Sequence, residues 1–236
     1  ARRRRRPLAP VDPDIHDRTM TERPGGSAGV NRDEPGRLAA LRRYRILDTD
    51  PERAFDDLTA LASHICGTPI ALISLIDADR QWFKSRVGIT LAETSRSLSF
   101  CTHAIQQRDL YVVPDARRNA TFRDNPFVAA EDGIRFYAGA PLITPQGYAL
   151  GTLCVVDKVP RTLTPEQVEA LDALRRQAEA QLELRANLID LEADRRHPHK
   201  RHRPLASGRV SRGWIAAAAP VLMIAGIGAA FVLVNQ

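Results

Sequence analysis

Gly133–Asp157 reads GIRFYAGAPLITPQGYALGTLCVVD, and this stretch decides the fold class. Arg135 to Leu142 mixes aromatic and small residues, while Tyr148 to Val156 is an apolar run rich in Leu and Val. Both read as strands. Between them, Thr144-Pro145-Gln146-Gly147 supplies a turn, with Pro fixing φ and Gly free to take a positive one. The spacing therefore predicts a hairpin at the centre of one sheet. Gly139 and Gly151 fall inside the strands, where a missing side chain implies either tight helix-to-sheet packing or a ligand approaching the backbone.

Outward from the hairpin, Ile70 to Ile76 is nearly continuous in apolar residues and predicts a strand covered on both faces. Ala78-Asp79-Arg80 turns it into Gln81 to Val87, where Phe83, Ser85 and Val87 alternate with Trp82, Lys84 and Arg86. That alternation predicts a half-exposed strand. Upstream, a helix carrying Leu38 and Leu41 is followed by a second one. Thr49 and Glu52 have capping-box spacing, Pro51 falls in the first turn, Phe55, Leu58, Leu61 and Ile65 share a face, and Gly67 is the stop. From Thr164 and Pro165 a long helix carries Leu171, Leu174, Ala178, Leu182 and Ile189 at helical spacing. About 30 residues make it roughly 45 Å long. Its second seam, Leu184, Leu188 and Leu191, can pair with the same helix of another copy, which predicts a homodimer. The order α, β, β, helix, β, loop, β, β, α is an α+β fold with a central antiparallel sheet flanked by helices.

The segments RQWFKSRVG, FCTHAI, VVPDARRNATFRDNPFV, IRFYAGAPL and LGTLCVVD, in that order, resemble a GAF domain of the bacterial sensor type over residues 34–185. The resemblance implies a sheet with a cavity, and a ligand that differs between members: cyclic nucleotides, bilins, haem or none known. Some members reduce free methionine sulfoxide with a set of cysteines. Here Cys101 stands at a matching point, but the loop from Arg117 to Gly133 has no resolving cysteine. Bilin-binding members use a cysteine just before the strand that begins here at Arg135, and NPFVAAEDG has none. GAF domains of this kind are commonly joined to histidine kinases or diguanylate cyclases, so a partner of one of those classes is implied.

Charge is distributed unevenly along the 236 residues, whose net charge is +6. Arg2 to Arg6 and the seven basic residues between Arg195 and Arg212 lie outside the span holding all 28 acids, Asp12 to Asp194, which leaves the body acidic. An acidic body excludes a specific nucleic-acid partner. The second basic cluster precedes Trp214–Val234, WIAAAAPVLMIAGIGAAFVLV, 21 residues without a charge. At 1.5 Å per residue it reaches roughly 31 Å, enough for a single transmembrane helix with the lipid bilayer as its partner. The expected division is a basic, polar leader over 1–33, with Met20 as a candidate start, a GAF-like domain over 34–185, a helix extension and juxtamembrane linker over 186–213, and a span over 214–234.

Chemistry is sparse. Cys66, Cys101 and Cys154 lack CxxC spacing, an odd count that suggests reduced thiols. No metal site is expected, since His197, His199 and His202 sit among basic residues that oppose a cation. Cys101-Thr102-His103 could lower a thiol pKa, but on a helix residues two apart diverge by about 200°. A ligand cavity is expected between the sheet and the segment from Leu98 to Gly133. Its walls would be Trp82, Phe100, Phe122, Phe136 and Tyr137, and its polar groups Cys101, His103, Asp115, Asn125 and Arg135. The functional expectation is a non-catalytic, dimeric sensory or regulatory module that binds a small ligand or a partner, held at the cytoplasmic membrane with its N-terminal domain in the cytosol; no catalytic residue and no cofactor is assigned. The alternatives are a thiol-dependent reductase using Cys101 and a tethered interaction domain without a ligand. Positive charge stays on the cytoplasmic side of a membrane, so a cysteine placed at the terminus by Gln236→Cys is expected to react with an impermeant maleimide in intact cells. Labelling only after permeabilisation would place that end inside.

Overall fold

The computed structural model describes Val30 and residues 32–196. The hairpin forms as β5 (Phe136–Ile143) and β6 (Ala149–Asp157), joined by a turn in which Gly147 has φ 86°. The apolar run Ile70–Ile76 is β1, which pairs with β6 on the side away from β5. With β2 (Arg80–Val87) and the short edge strands β3 (Glu93–Ser95) and β4 (Tyr111–Val113), the sheet has the order β3-β2-β1-β6-β5-β4. Every pairing is antiparallel, so the expected sheet is present, with β1 and β6 at its centre.

Period-two alternation sorts the side chains onto two faces. Leu153 and Val155 of β6, Ile73 and Leu75 of β1, and Phe136 and Ala138 of β5 pack under three helices: α1 (Glu34–Arg43), α2 (Arg53–Cys66) and α5 (Pro165–Arg196). Cys154 and Val156, Leu72 and Ile76, and Tyr137 point the other way, toward α3 (Cys101–Ala104), α4 (Pro126–Ala129) and the loops around them. All nine residues of β6 are buried.

Three local expectations are corrected. β2 is covered on both faces rather than half exposed, because a bulge opposite Ile73 and Ser74 breaks its alternation. The extra residue lets both Lys84 and Ser85 turn toward α2: Ser85 Oγ donates to Asp56 Oδ1 at 2.6 Å, and Lys84 Nζ donates to Glu52 Oε1 at 2.7 Å. The start of α2 is not a capping box. Glu52 is its N-cap without a side-chain cap bond, Pro51 precedes the helix, and the Thr49 hydroxyl donates to the Ile46 carbonyl at 2.7 Å. A capping box does open α5, where Gln167 Oε1 accepts from the Thr164 amide at 3.0 Å and Thr164 Oγ1 accepts from the Gln167 amide at 3.3 Å. Finally, α2 turns Phe55, Leu58, Thr59, Ala62 and Cys66 inward and leaves Leu61 and Ile65 exposed. Thr59 takes an inward place because its hydroxyl meets Ser85 Oγ at 2.6 Å.

The 32 residues of α5 run through Arg185 to Arg196 as one helix. Leu171, Ala178 and Leu182 are buried on the sheet, while Leu184 and Leu188 are exposed. Among the described residues no helix is long and apolar enough to cross a membrane. The run Trp214–Val234, the basic linker beyond Arg196 with its histidines, and the leader through Gly29 lie outside the described residues.

The strand glycines make room for neighbouring atoms of the sheet itself. A Cβ at Gly151 would stand 1.8 Å from the Ser74 carbonyl oxygen of β1, and one at Gly139 would stand 2.0 Å from the Tyr137 hydroxyl. Gly67, at φ 61°, ends α2 with open space around it. Gly151→Ala is therefore expected to cost about 3 kcal/mol by forcing central strands apart. Gly67→Ala should cost only about 1 kcal/mol of backbone strain. Urea midpoints of the two variants check the order.

Candidate functional site

On the face away from the long helix, the loops between β2 and β5 do not close fully over the sheet. They leave a cavity of about 290 Å³. Its floor is Leu72, Phe83, Cys154 and Val156 from the strands, and its sides are Ile89, Leu98, Phe100, Phe127 and Ile134 from the loops. The exposed residues Leu91, Asp132 and Lys158 stand at its rim, where Lys158 Nζ lies 3.8 Å from Asp132 Oδ2.

One uncharged polar side chain stands out among these apolar walls. Gln81 neighbours Trp82 on β2, so alternation sends its amide to the cavity face while the indole goes to the helix face. Gln81 is only 5% exposed, and no hydrogen bond among the described residues engages its side chain. Its amide is not sealed off but opens onto the cavity. A ligand supplying a donor and an acceptor would meet it there.

The inner end of the cavity is different in character. Tyr137 Oη donates to Cys101 Sγ at 3.2 Å, Cys154 Sγ lies 3.8 Å from Cys101 Sγ, and the hydroxyls of Ser74 and Thr152 meet at 3.2 Å on the same sheet face. Burial raises the Cys101 thiol, but hydrogen bonds from Cys154, Ser74, Thr152 and Tyr137 outweigh it and hold this thiol below its ordinary range. The interaction with Cys101, together with burial, pushes Cys154 well above that range. Cys66, under the helices, is pushed by burial up to about 11.

Of the ten residues expected at the site, three line the cavity: Phe100, Cys101 and Tyr137. Phe122 and His103 form a layer behind them. Phe122 stacks on Phe100 with ring centroids 4.1 Å apart, and His103 meets Phe122 edge-on at 4.9 Å. Burial pushes the His103 imidazole below its ordinary value, and no hydrogen bond among the described residues joins it to Cys101, as the divergence along a helix implied. Asp115 and Asn125 shape loops. Asp115 accepts from the Arg117 amide at 3.1 Å; Asn125 accepts from the Phe127 amide at 2.9 Å and donates to the Leu98 carbonyl at 2.9 Å. Arg135 is buried and donates to the carbonyls of Val128, Ala130, Glu131 and Ile134, so its guanidinium holds the loop after α4. Trp82 and Phe136 belong to the helix-side core, because alternation turns them away from Gln81 and Tyr137. Gln81, Phe83 and Val156 were absent from the expected set. Their signal was parity with Tyr137 and Cys154, readable only once strand register is known.

A six-stranded antiparallel sheet with helices on one face and a loop-walled cavity on the other defines an α+β module of the sensory and regulatory class. Residues 50–182, more than half of the chain, match the GAF domain, and the chain belongs to the GAF family. Over 129 residues it is 44% identical to a cyclic di-GMP phosphodiesterase of Pseudomonas aeruginosa, a match covering 55% of this chain and 22% of that protein. The chain thus spans about a fifth of the length of this relative. Similar solved structures include the GAF domain of an Acinetobacter phosphoenolpyruvate-protein phosphotransferase, with 15% identity, coverage of 65% of this chain and 94% of that one, and a TM-score of 0.48. Another is a free methionine-R-sulfoxide reductase from Neisseria meningitidis, with 14% identity, coverage of 64% and 93%, and a TM-score of 0.47.

Removing the Arg135 guanidinium strands four carbonyls at once. Arg135→Met is expected to cost about 3 kcal/mol and to speed hydrogen exchange in residues 126–135 ahead of the sheet. Equal exchange in parent and variant would show that the loop holds itself.

Proposed function

We propose that this chain is a non-catalytic sensor whose cavity takes a small, largely apolar molecule bearing one group that pairs with a carboxamide. The observation that carries this reading is Gln81, whose amide opens onto a largely apolar cavity and has no hydrogen bond among the described residues. A pocket of that composition gains affinity from apolar burial and orientation from its few polar contacts, Gln81 foremost. The strands that floor the cavity with Cys154 and Val156 seat the long helix with Leu153 and Val155. A ligand that favours one packing of the sheet therefore also favours one seating of α5. The exposed Leu184 and Leu188 of α5 would meet a second copy of the chain. The output would pass to a nucleotide-signalling enzyme or a kinase, a reading supported by the cyclic di-GMP phosphodiesterase relative. The run from Trp214 would hold the module at the membrane.

A reductase acting on free methionine sulfoxide is the weaker reading. That zwitterion needs partners for an ammonium and a carboxylate, and the charged residues lining the cavity, Asp132 and Lys158, stand at the rim and face each other. A thermal-shift screen of the full chain in detergent, using apolar carboxamides and lactams beside nucleotides and amino acids, tests the sensor. A bound compound should raise Tm by several degrees, and Gln81→Leu should remove the shift for the carboxamides. Turnover of free methionine sulfoxide, or no shift with any compound, would overturn the reading.

A further inference from the structure

The two sulfurs at the inner end of the cavity come from unrelated parts of the chain. Cys101 opens the four-residue α3, and Cys154 sits in the central strand β6. Both are free thiols and both line the cavity; Cys101 keeps 2% of its surface accessible and Cys154 none, so a molecule that enters meets Cys101 and not Cys154. At 3.8 Å the sulfurs are in van der Waals contact. A disulfide needs about 2.0 Å, so the pair must close by roughly 1.8 Å. Central β6 is fixed by neighbours on both sides, whereas α3 is a single short turn between loops. Closure therefore falls to α3.

The surroundings assign the two thiols different roles. Cys101 receives the Tyr137 hydroxyl and stands beside the Ser74 and Thr152 hydroxyls, donors that stabilise a thiolate inside an apolar cavity. Cys154 Sγ has Cys101 as its only hydrogen-bond partner among the described residues. The arrangement pairs a nucleophile with a neighbouring thiol that can resolve it. The approach to it is walled by Leu72, Phe83, Ile89 and Ile134, which favours an apolar chain over a water-like molecule.

We propose that Cys101 and Cys154 form a two-electron redox site oxidised by an organic hydroperoxide that enters the cavity. The Cys101 thiolate attacks the terminal peroxide oxygen, an S–O bond forms, the O–O bond breaks, and the alkoxide leaves as the alcohol after taking a proton. Cys154 then attacks the sulfenic sulfur. The S–S bond forms, the S–O bond breaks, and hydroxide leaves as water with the Cys154 proton. Two thiols and one hydroperoxide give one disulfide, one alcohol and one water; an external dithiol restores the pair. Closure draws Phe100, next to Cys101, along its stack on Phe122 and Tyr137, so oxidation reshapes the cavity wall. This site shares the cavity of the sensor reading but does not require the Gln81 contact.

The test uses the full reduced chain in detergent, exposed to equal concentrations of cumene hydroperoxide or hydrogen peroxide, then denatured, alkylated and mapped by mass spectrometry. Cys101 and Cys154 should be recovered as one linked peptide pair with Cys66 still alkylated, and cumene hydroperoxide should act about tenfold faster than hydrogen peroxide. Cys154→Ser should stop at a sulfenic acid on Cys101 that dimedone captures. In the parent chain, recovery of all three alkylated cysteines, oxidation of Cys66 as fast as Cys101, or equal rates with the two peroxides would overturn the proposal whether or not the variants fold. A failed carboxamide screen beside a linked Cys101–Cys154 pair would remove the sensor ligand and leave the redox site standing.

Discussion

The structure depends on one pairing, that of β1 with β6, in register from Ile70 opposite Val156 to Leu75 opposite Gly151. Both strands are buried on both faces, so neither can slip by one residue without sending its helix-side residues into the cavity side and the reverse. The close approach of Gly151 to the Ser74 carbonyl pins that register from within. From this pairing follow the two faces of the molecule. Ile73 and Leu153 make a floor for helices, and Leu72 and Cys154 make a floor for a cavity.

A polar tie joins the sheet to the long helix where apolar packing ends. The side chain of Lys84 is fully buried, a position that costs several kcal/mol unless the charge is met. Its ammonium is met by Glu52 Oε1 at 2.7 Å, Thr49 Oγ1 at 2.9 Å and the Asp50 carbonyl at 2.7 Å. Glu52 Oε1 also accepts from Arg185 of α5 at 2.9 Å, and the same guanidinium donates to the carbonyls of Tyr44 and Arg45. Burial opposes ionisation of Glu52, but Lys84 and Arg185 overcome it and keep the carboxyl below its usual range. Arg45 and Asp48 take positive φ in this loop, and Arg80 holds Asp48 with a bidentate contact of 2.9 and 2.7 Å. Strained backbone persists where its surroundings hold it.

Much of the fold was legible because its signals are local. The Thr144 to Gly147 turn, the apolar run of β1, the Gly67 stop and the long helix each follow from a few adjacent residues. The cavity was legible in part. FCTHAI and IRFYAGAPL pointed to Phe100, Cys101 and Tyr137, but residue type alone could not separate Phe136 from Tyr137, whose faces differ only by strand parity. The bulge at Lys84 defeated parity within β2, since an extra residue is visible only against its partner strand. Arg135 looked like a ligand contact because a charged residue beside aromatics fits a pocket. Its partners are carbonyls of a loop that closes on it only after folding.

The geometry of α5 has a mechanical side. Its 32 residues make a rod of about 48 Å, seated on the sheet at Leu171 and Ala178 and fastened near Arg185. A rod of that length acts as a lever whose fulcrum lies on the domain. A tilt of about 5° at the seat displaces the tip, about 16 Å beyond Arg185, by roughly 1.4 Å. Motions too small to disturb the packing of the sheet thereby reach a neighbouring chain as a shift in the position of the helix end.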